Sequence, residues 1–127
     1  MSPIKKLSLC AALATLAAVP TQAQAGYKAE SSLGCYKRAD GSGYCYGSFI
    51  GFRNNADASA YMVLSEMAGY KWFQVQLNGA YYSCTPDATT AAFWSDAVSA
   101  KYVDIDWNSS GTCNSIIVSS GSLYGNY

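Results

Sequence analysis

The chain has 127 residues, with eight basic and eight acidic side chains, five cysteines, eleven tyrosines and no histidine. That length fits one domain, and the balanced charge offers no basic footprint for a phosphate backbone, which argues against nucleic acid as a partner. The missing histidine removes Ser–His–Asp and Cys–His catalysis, the imidazole pH switch and His-ligated metal sites.

Residues 1–25 read as a secretory signal. Lys5 and Lys6 form a positive start, 7–19 is mostly apolar, and Pro20 breaks the run. Ala23-Gln24-Ala25 then supplies the small-x-small cleavage pattern, which predicts a mature start at Gly26 and a secreted or periplasmic location. Thirteen residues fall short of the roughly 20 needed to cross a hydrocarbon core, so no membrane insertion of the mature chain is expected. Cys10 follows Leu9, where a lipoprotein signal wants a small residue. Cleavage would leave 102 residues with six basic and eight acidic side chains, a net charge of −2.

The mature chain keeps Cys35, Cys45, Cys84 and Cys113. An even count in an exported chain of this size implies two disulfides, with three connectivities open. Zinc is disfavoured, because the gaps of 10, 39 and 29 positions lack paired C-x-x-C spacing.

Residues 26–32 form a short polar leader, expected to be mobile, ahead of a single domain over 33–127. Runs at 33–38 and 43–52 flank Ala39-Asp40-Gly41-Ser42, whose Asp and Gly suit a turn. A hairpin centred on Asp40 sets Cys35 opposite Cys45, at a separation a disulfide can bridge. That favours Cys35–Cys45 and Cys84–Cys113, bridges contributing roughly 3 and 3.5 kcal/mol on the loop-entropy model.

Asp57 as N-cap and Gly69 as C′ residue bracket 58–68, where Ala60, Tyr61, Leu64, Met67 and Ala68 make a helical stripe. Asn78-Gly79 then marks a hairpin between 70–77 and 80–84. Thr85-Pro86 opens a second helix reaching about residue 100, with Ala88, Ala91, Trp94 and Val98 as its stripe. A third hairpin joins 102–107 to 112–119 across Asn108-Ser109-Ser110-Gly111. The expected fold is α+β in ββαββαββ order: an antiparallel sheet of about six strands, two helices on one face, and two disulfides.

Asp104-Ile105-Asp106-Trp107-Asn108 begins like an EF-hand calcium loop. Ser109 replaces the required glycine and Ser115 the bidentate glutamate, so no metal or cofactor is expected. Gly43-Tyr44-Cys45-Tyr46-Gly47 imitates a nucleophile elbow, but it lies in a strand and has no histidine partner. Asn108-Ser109-Ser110 is a glycosylation sequon, relevant only in a glycosylating host.

Parity on the strands is more informative. Phe73, Val75 and Leu77 alternate with Trp72, Gln74 and Gln76, while Val103, Ile105 and Trp107 alternate with Tyr102, Asp104 and Asp106. If the aliphatic set faces the helices, Trp72, Gln74, Gln76, Tyr102, Asp104 and Asp106 stand on the open face, as does one of Tyr81 and Tyr82. Rings among amides and carboxylates suit a glycan or a protein surface. The expected function is therefore non-enzymatic binding. Two alternatives stand beside it. One is inhibition of a secreted hydrolase through the Arg38-to-Gly43 loop or the Asn108-to-Gly111 turn, and the other is a small hydrolase using Asp104 and Asp106.

Overall fold

The computed structural model describes residues 26–125. The signal over 1–25 lies outside the described residues. Chain order is β1 (Gly34–Lys37), β2 (Gly43–Ser48), α1 (Phe49–Arg53), β3 (Tyr61–Met67), β4 (Tyr70–Leu77), β5 (Ala80–Pro86), α2 (Ala88–Ala91), α3 (Trp94–Ser99), β6 (Tyr102–Trp107) and β7 (Thr112–Ser119). A short 3₁₀ turn, Ser122–Tyr124, follows. The seven strands form one sheet in the order β1-β2-β6-β7-β5-β4-β3. The fold is α+β and mostly antiparallel, with seven strands rather than six and one parallel pair, β5 with β7.

The first hairpin forms as its turn chemistry dictates. Asp40 accepts from the backbone N–H of Ser42 at 2.9 Å and from its hydroxyl at 2.6 Å. This Asx turn sets the register that opposes Cys35 to Cys45, and the two are disulfide-bonded. Cys84–Cys113 is the second bridge.

The segment 58–68, expected as a helix, is instead strand β3. Met62 and Leu64 are buried while Tyr61, Val63 and Ser65 alternate with them, so period 2 prevails over the helical stripe. Asp57 caps no helix. It accepts from the N–H and hydroxyl of Ser59, and its second oxygen accepts from the N–H of Asn78 at 2.8 Å, pinning the β4–β5 turn. Gly69 does not end a helix either. Ala68 (φ 51°) and Gly69 (φ 83°) form a two-residue hairpin turn with both residues left-handed, like Asn78-Gly79 in the next hairpin.

The run 85–100 also departs from expectation. Pro86 ends β5, Asp87 caps α2 by accepting from the Thr90 N–H at 2.8 Å, and Phe93 (φ −97°, ψ 4°) separates α2 from α3. That break shifts the helical phase. Thr90, Trp94 and Ala97 are buried, and Val98 is exposed. The strand expected over 43–52 stops at Ser48, whose hydroxyl caps α1 by accepting from the Gly51 N–H. The observed order is thus ββαβββααββ.

Helices α1 and α3 bury Phe52, Trp94 and Ala97 in one core with the inward side chains of β2 to β7, among them Phe73, Val75, Ile105 and Trp107. The sheet must curl to do this. In sheet order β2 and β3 are five steps apart, about 24 Å if flat, yet α1, which continues β2, packs on β3. Trp94 reinforces the closure by donating its indole N–H to the Ser65 carbonyl on edge strand β3 at 3.0 Å. The leader is tied down at two points. The Ala29 N–H donates to the Leu123 carbonyl, and the Glu30 carbonyl accepts from Ser48 and lies where a Cβ on Gly51 would fall.

Two outcomes follow. Replacing Cys84 and Cys113 together with alanine should lower stability by roughly 3.5 kcal/mol, more than the same change at Cys35 and Cys45. The reason is that β5 and β7 pair over two residues only, whereas β1 and β2 pair over four. Equal losses in denaturant melts would contradict this. Ala68→Asn should add about 1 kcal/mol, because alanine is strained at φ 51° and asparagine tolerates that region. Thermal unfolding reads the gain as a rise of a few degrees.

Candidate functional site

One face of the sheet is committed to the core, and strand pairing fixes which side chains occupy the other. Gln74 pairs with Ser83 and Gln76 with Tyr81, so Trp72, Gln74, Gln76, Tyr81 and Ser83 all point outward. Tyr82 is the inward member of the tyrosine pair and its ring lies 6.0 Å from that of Trp107. On the other half, Tyr44 pairs with Asp106 and Tyr46 with Asp104, which places Tyr44, Tyr46, Tyr102, Asp104 and Asp106 outward. Every residue of the expected patch has the expected orientation. They do not form one patch, because β7 and β5 lie between β6 and β4.

The β4–β5 half holds a cleft of about 460 Å³, lined by Met67, Tyr70, Trp72, Gln74, Tyr81 and Ser83 among others. Tyr70 buttresses Trp72 with ring centroids 5.5 Å apart. Gln74 donates its side-chain N–H to the Tyr81 hydroxyl at 2.5 Å, fixing both groups at the rim. A second hollow of about 380 Å³ shares Tyr81, Ser83 and Gly111 with the first and extends toward Lys37, Gly41 and Ser109. Both turns singled out as inhibitor loops border it. They abut through the indole N–H of Trp107, which donates to the Gly41 carbonyl at 3.0 Å. Gln76 stands outside the cleft, between Tyr61 and Tyr81 across the strands.

The β2–β6 half is acidic and tyrosine-rich. Tyr36, Tyr44 and Tyr46 follow one another with ring centroids 5.9 and 6.2 Å apart. Tyr102 stacks on Tyr124 at 4.7 Å, so the C-terminal segment covers one of its faces. Burial raises the Asp104 pKa, helped by the like charge of Asp106 and a hydrogen bond between the two carboxyls. Burial likewise raises the Tyr102 hydroxyl, with Asp104 adding to it. Asn108, third in the calcium-like run, turns its side-chain oxygen to the N–H groups of Ser110 and Thr112 instead. Among the described residues no three His, Cys, Asp or Glu side chains converge as a metal site, and no helix is long and apolar enough to cross a membrane.

Tyr44 and Tyr46 were not assigned from sequence, and Tyr81 only as one of a pair with Tyr82. The signal for the first two was present: a disulfide-bonded Cys45 that faces inward forces its neighbours outward. No family model, curated protein or solved structure matches the chain.

The carboxyl pair predicts an unusual pH response. A folded-state pKa raised above the unfolded value means that ionised Asp104 opposes folding, a penalty relieved as pH falls through its titration. Asp40, Asp57 and Asp87 have the opposite sign. Hydrogen bonds from Ser42, Ser59 and Thr90 respectively lower them, so they contribute stability that is lost on acidification. Asp104→Asn should therefore melt above the parent at pH 7, with the gap closing as pH drops. A lower midpoint at pH 7 would show the ionised carboxylate to be stabilising.

Proposed function

We propose that the chain is an exported, non-enzymatic binding protein that takes a short oligosaccharide along the groove starting at Trp72. The observation that carries this is the position of Trp72, a partly exposed indole on a cleft of about 460 Å³ lined alternately by rings and hydrogen-bonding side chains. Sugars need that mixture. Their C–H faces stack on aromatic rings, while their hydroxyls require amide and hydroxyl partners at fixed positions. Gln74, Tyr81 and Ser83 supply those partners, and the mutual hydrogen bond of Gln74 and Tyr81 limits what must be ordered on binding. The adjoining hollow of about 380 Å³ gives room for a further sugar unit beyond Ser83. An oxidising compartment is favoured by the two disulfides. The turns at Arg38–Gly43 and Asn108–Gly111 are, in this reading, a wall of the groove rather than an inhibitor loop.

Trp94 and Trp107 are 1% and 3% exposed, so Trp72 dominates the solvent-sensitive emission. Oligosaccharides selected on a glycan array should shift and protect that emission in a saturable titration. Trp72→Ala should weaken binding about tenfold or more while leaving the melting temperature nearly unchanged, and Trp72→Phe should retain part of the affinity. An array without ligands, or ligands held equally well by Trp72→Ala, would sink the proposal.

A further inference from the structure

We propose that the outward face of β1, β2 and β6 is a docking surface for an arginine-bearing segment of a partner protein. It is a different surface from the oligosaccharide groove and does not depend on that reading.

The face combines two features through strand register alone. Tyr36, Tyr44 and Tyr46 form a row of rings across β1 and β2, with steps of 5.9 and 6.2 Å. Beside it, Asp106 and Asp104 stand directly across from Tyr44 and Tyr46. Tyr36 is 54% exposed, and Ile117, paired with Asp104 from β7, is 56% exposed, so the surface is open on both sides of the carboxyls.

Charge selects the partner. Asp104 is half-buried and feels the like charge of Asp106, an arrangement that a neighbouring cation would relieve. Geometry selects arginine among cations. A guanidinium can lie flat on a tyrosine ring while its planar fork meets carboxylate oxygens, whereas an ammonium is a compact, strongly hydrated point charge. The protein already shows the contact in miniature, with Arg38 lying 5.7 Å from the centre of the Tyr44 ring. The open face selects a macromolecule over free arginine. Small ligands are held in concave sites that bury most of their surface, while tyrosine-rich open faces are characteristic of protein interfaces.

The test uses fluorescein-labelled Gly-Arg-Gly-Arg-Gly and its lysine and glutamate counterparts, titrated by anisotropy at low salt into the protein spanning 26–127. The arginine peptide should bind saturably, more tightly than the lysine peptide, and the glutamate peptide should not bind. Asp104→Asn with Asp106→Asn should weaken arginine-peptide binding about tenfold. Glu66→Gln with Asp96→Asn removes the same charge from exposed positions elsewhere and should change it by less than about twofold. Trp72→Ala should leave it unaltered, which separates this surface from the oligosaccharide groove. Tyr44→Ser with Tyr46→Ser gives a second route to the same loss should the aspartate pair prove necessary for folding. Equal weakening by the two charge-removing pairs would reduce the effect to net charge and overturn the proposal, as would equal affinity for the lysine peptide.

Discussion

The seam between β5 and β7 holds the molecule together. Three strands, β3 to β5, come from one stretch of chain, and four come from the stretches on either side of it. The two groups meet in parallel over Thr85–Thr112 and Pro86–Cys113. Flanking backbone bonds, Thr85 to Gly111 and Asp87 to Cys113, extend the seam slightly. So short a ladder contributes little by itself, and the Cys84–Cys113 bridge fixes it covalently on the inward side. Neither half could bury its inward face alone, since the core mixes Phe73 and Val75 of one with Ile105 and Trp107 of the other. The bridge thereby makes one core from two insufficient ones.

Once the core claims the inward face, the outward face inherits whatever alternates with it. In the β4–β5 half the alternating residues are uncharged, with rings, amides and hydroxyls dominating. In the β2–β6 half they are tyrosines and aspartates. One sheet face thus carries two surfaces of different chemistry, separated by β7, whose outward Ser115 and Ile117 continue neither pattern. The edges are handled separately. The indole of Trp94 occupies the Ser65 carbonyl, leaving less of edge strand β3 available for pairing with another chain.

Much of this was legible in the sequence where a local signal had a single physical meaning. Asp40-Gly41 and Asn78-Gly79 are turns by residue chemistry, and the hairpin about Asp40 brings Cys35 to Cys45, from which the second bridge follows. β3 was not legible, because its segment carries two consistent patterns. Ala60, Leu64, Met67 and Ala68 satisfy a helix, Met62 and Leu64 satisfy a strand, and Asp57 and Gly69 resemble helix caps. The deciding feature is a turn with alanine in a left-handed conformation, which propensity alone argues against. The burial that offsets this strain is long-range, and no local window contains it. The candidate site divided for a similar reason. Alternation shows which way a side chain points, but strand order decides its neighbours, and order here depends on a parallel seam no local pattern announces.

The abundance of outward tyrosine has a structural origin that also limits its functional meaning. A curled sheet with one uncovered face needs residues that favour extended backbone and still tolerate water, and tyrosine meets both demands. Exposure of a ring is therefore weak evidence of binding, and the ring's existing partners carry more weight. Tyr102 is stacked on Tyr124 at an interplanar angle of 22°, so one of its faces is committed to holding the C-terminal segment on β6. Tyr82 is committed to Trp107. Trp72 differs, because Tyr70 supports it while a cleft opens beside it. Tyr44 differs as well, because its ring lies in a tyrosine row and already has a guanidinium near it. Sorted in this way, the aromatic surface reduces to two places, the uncharged cleft beside Trp72 and the acidic tyrosine row on β1 and β2.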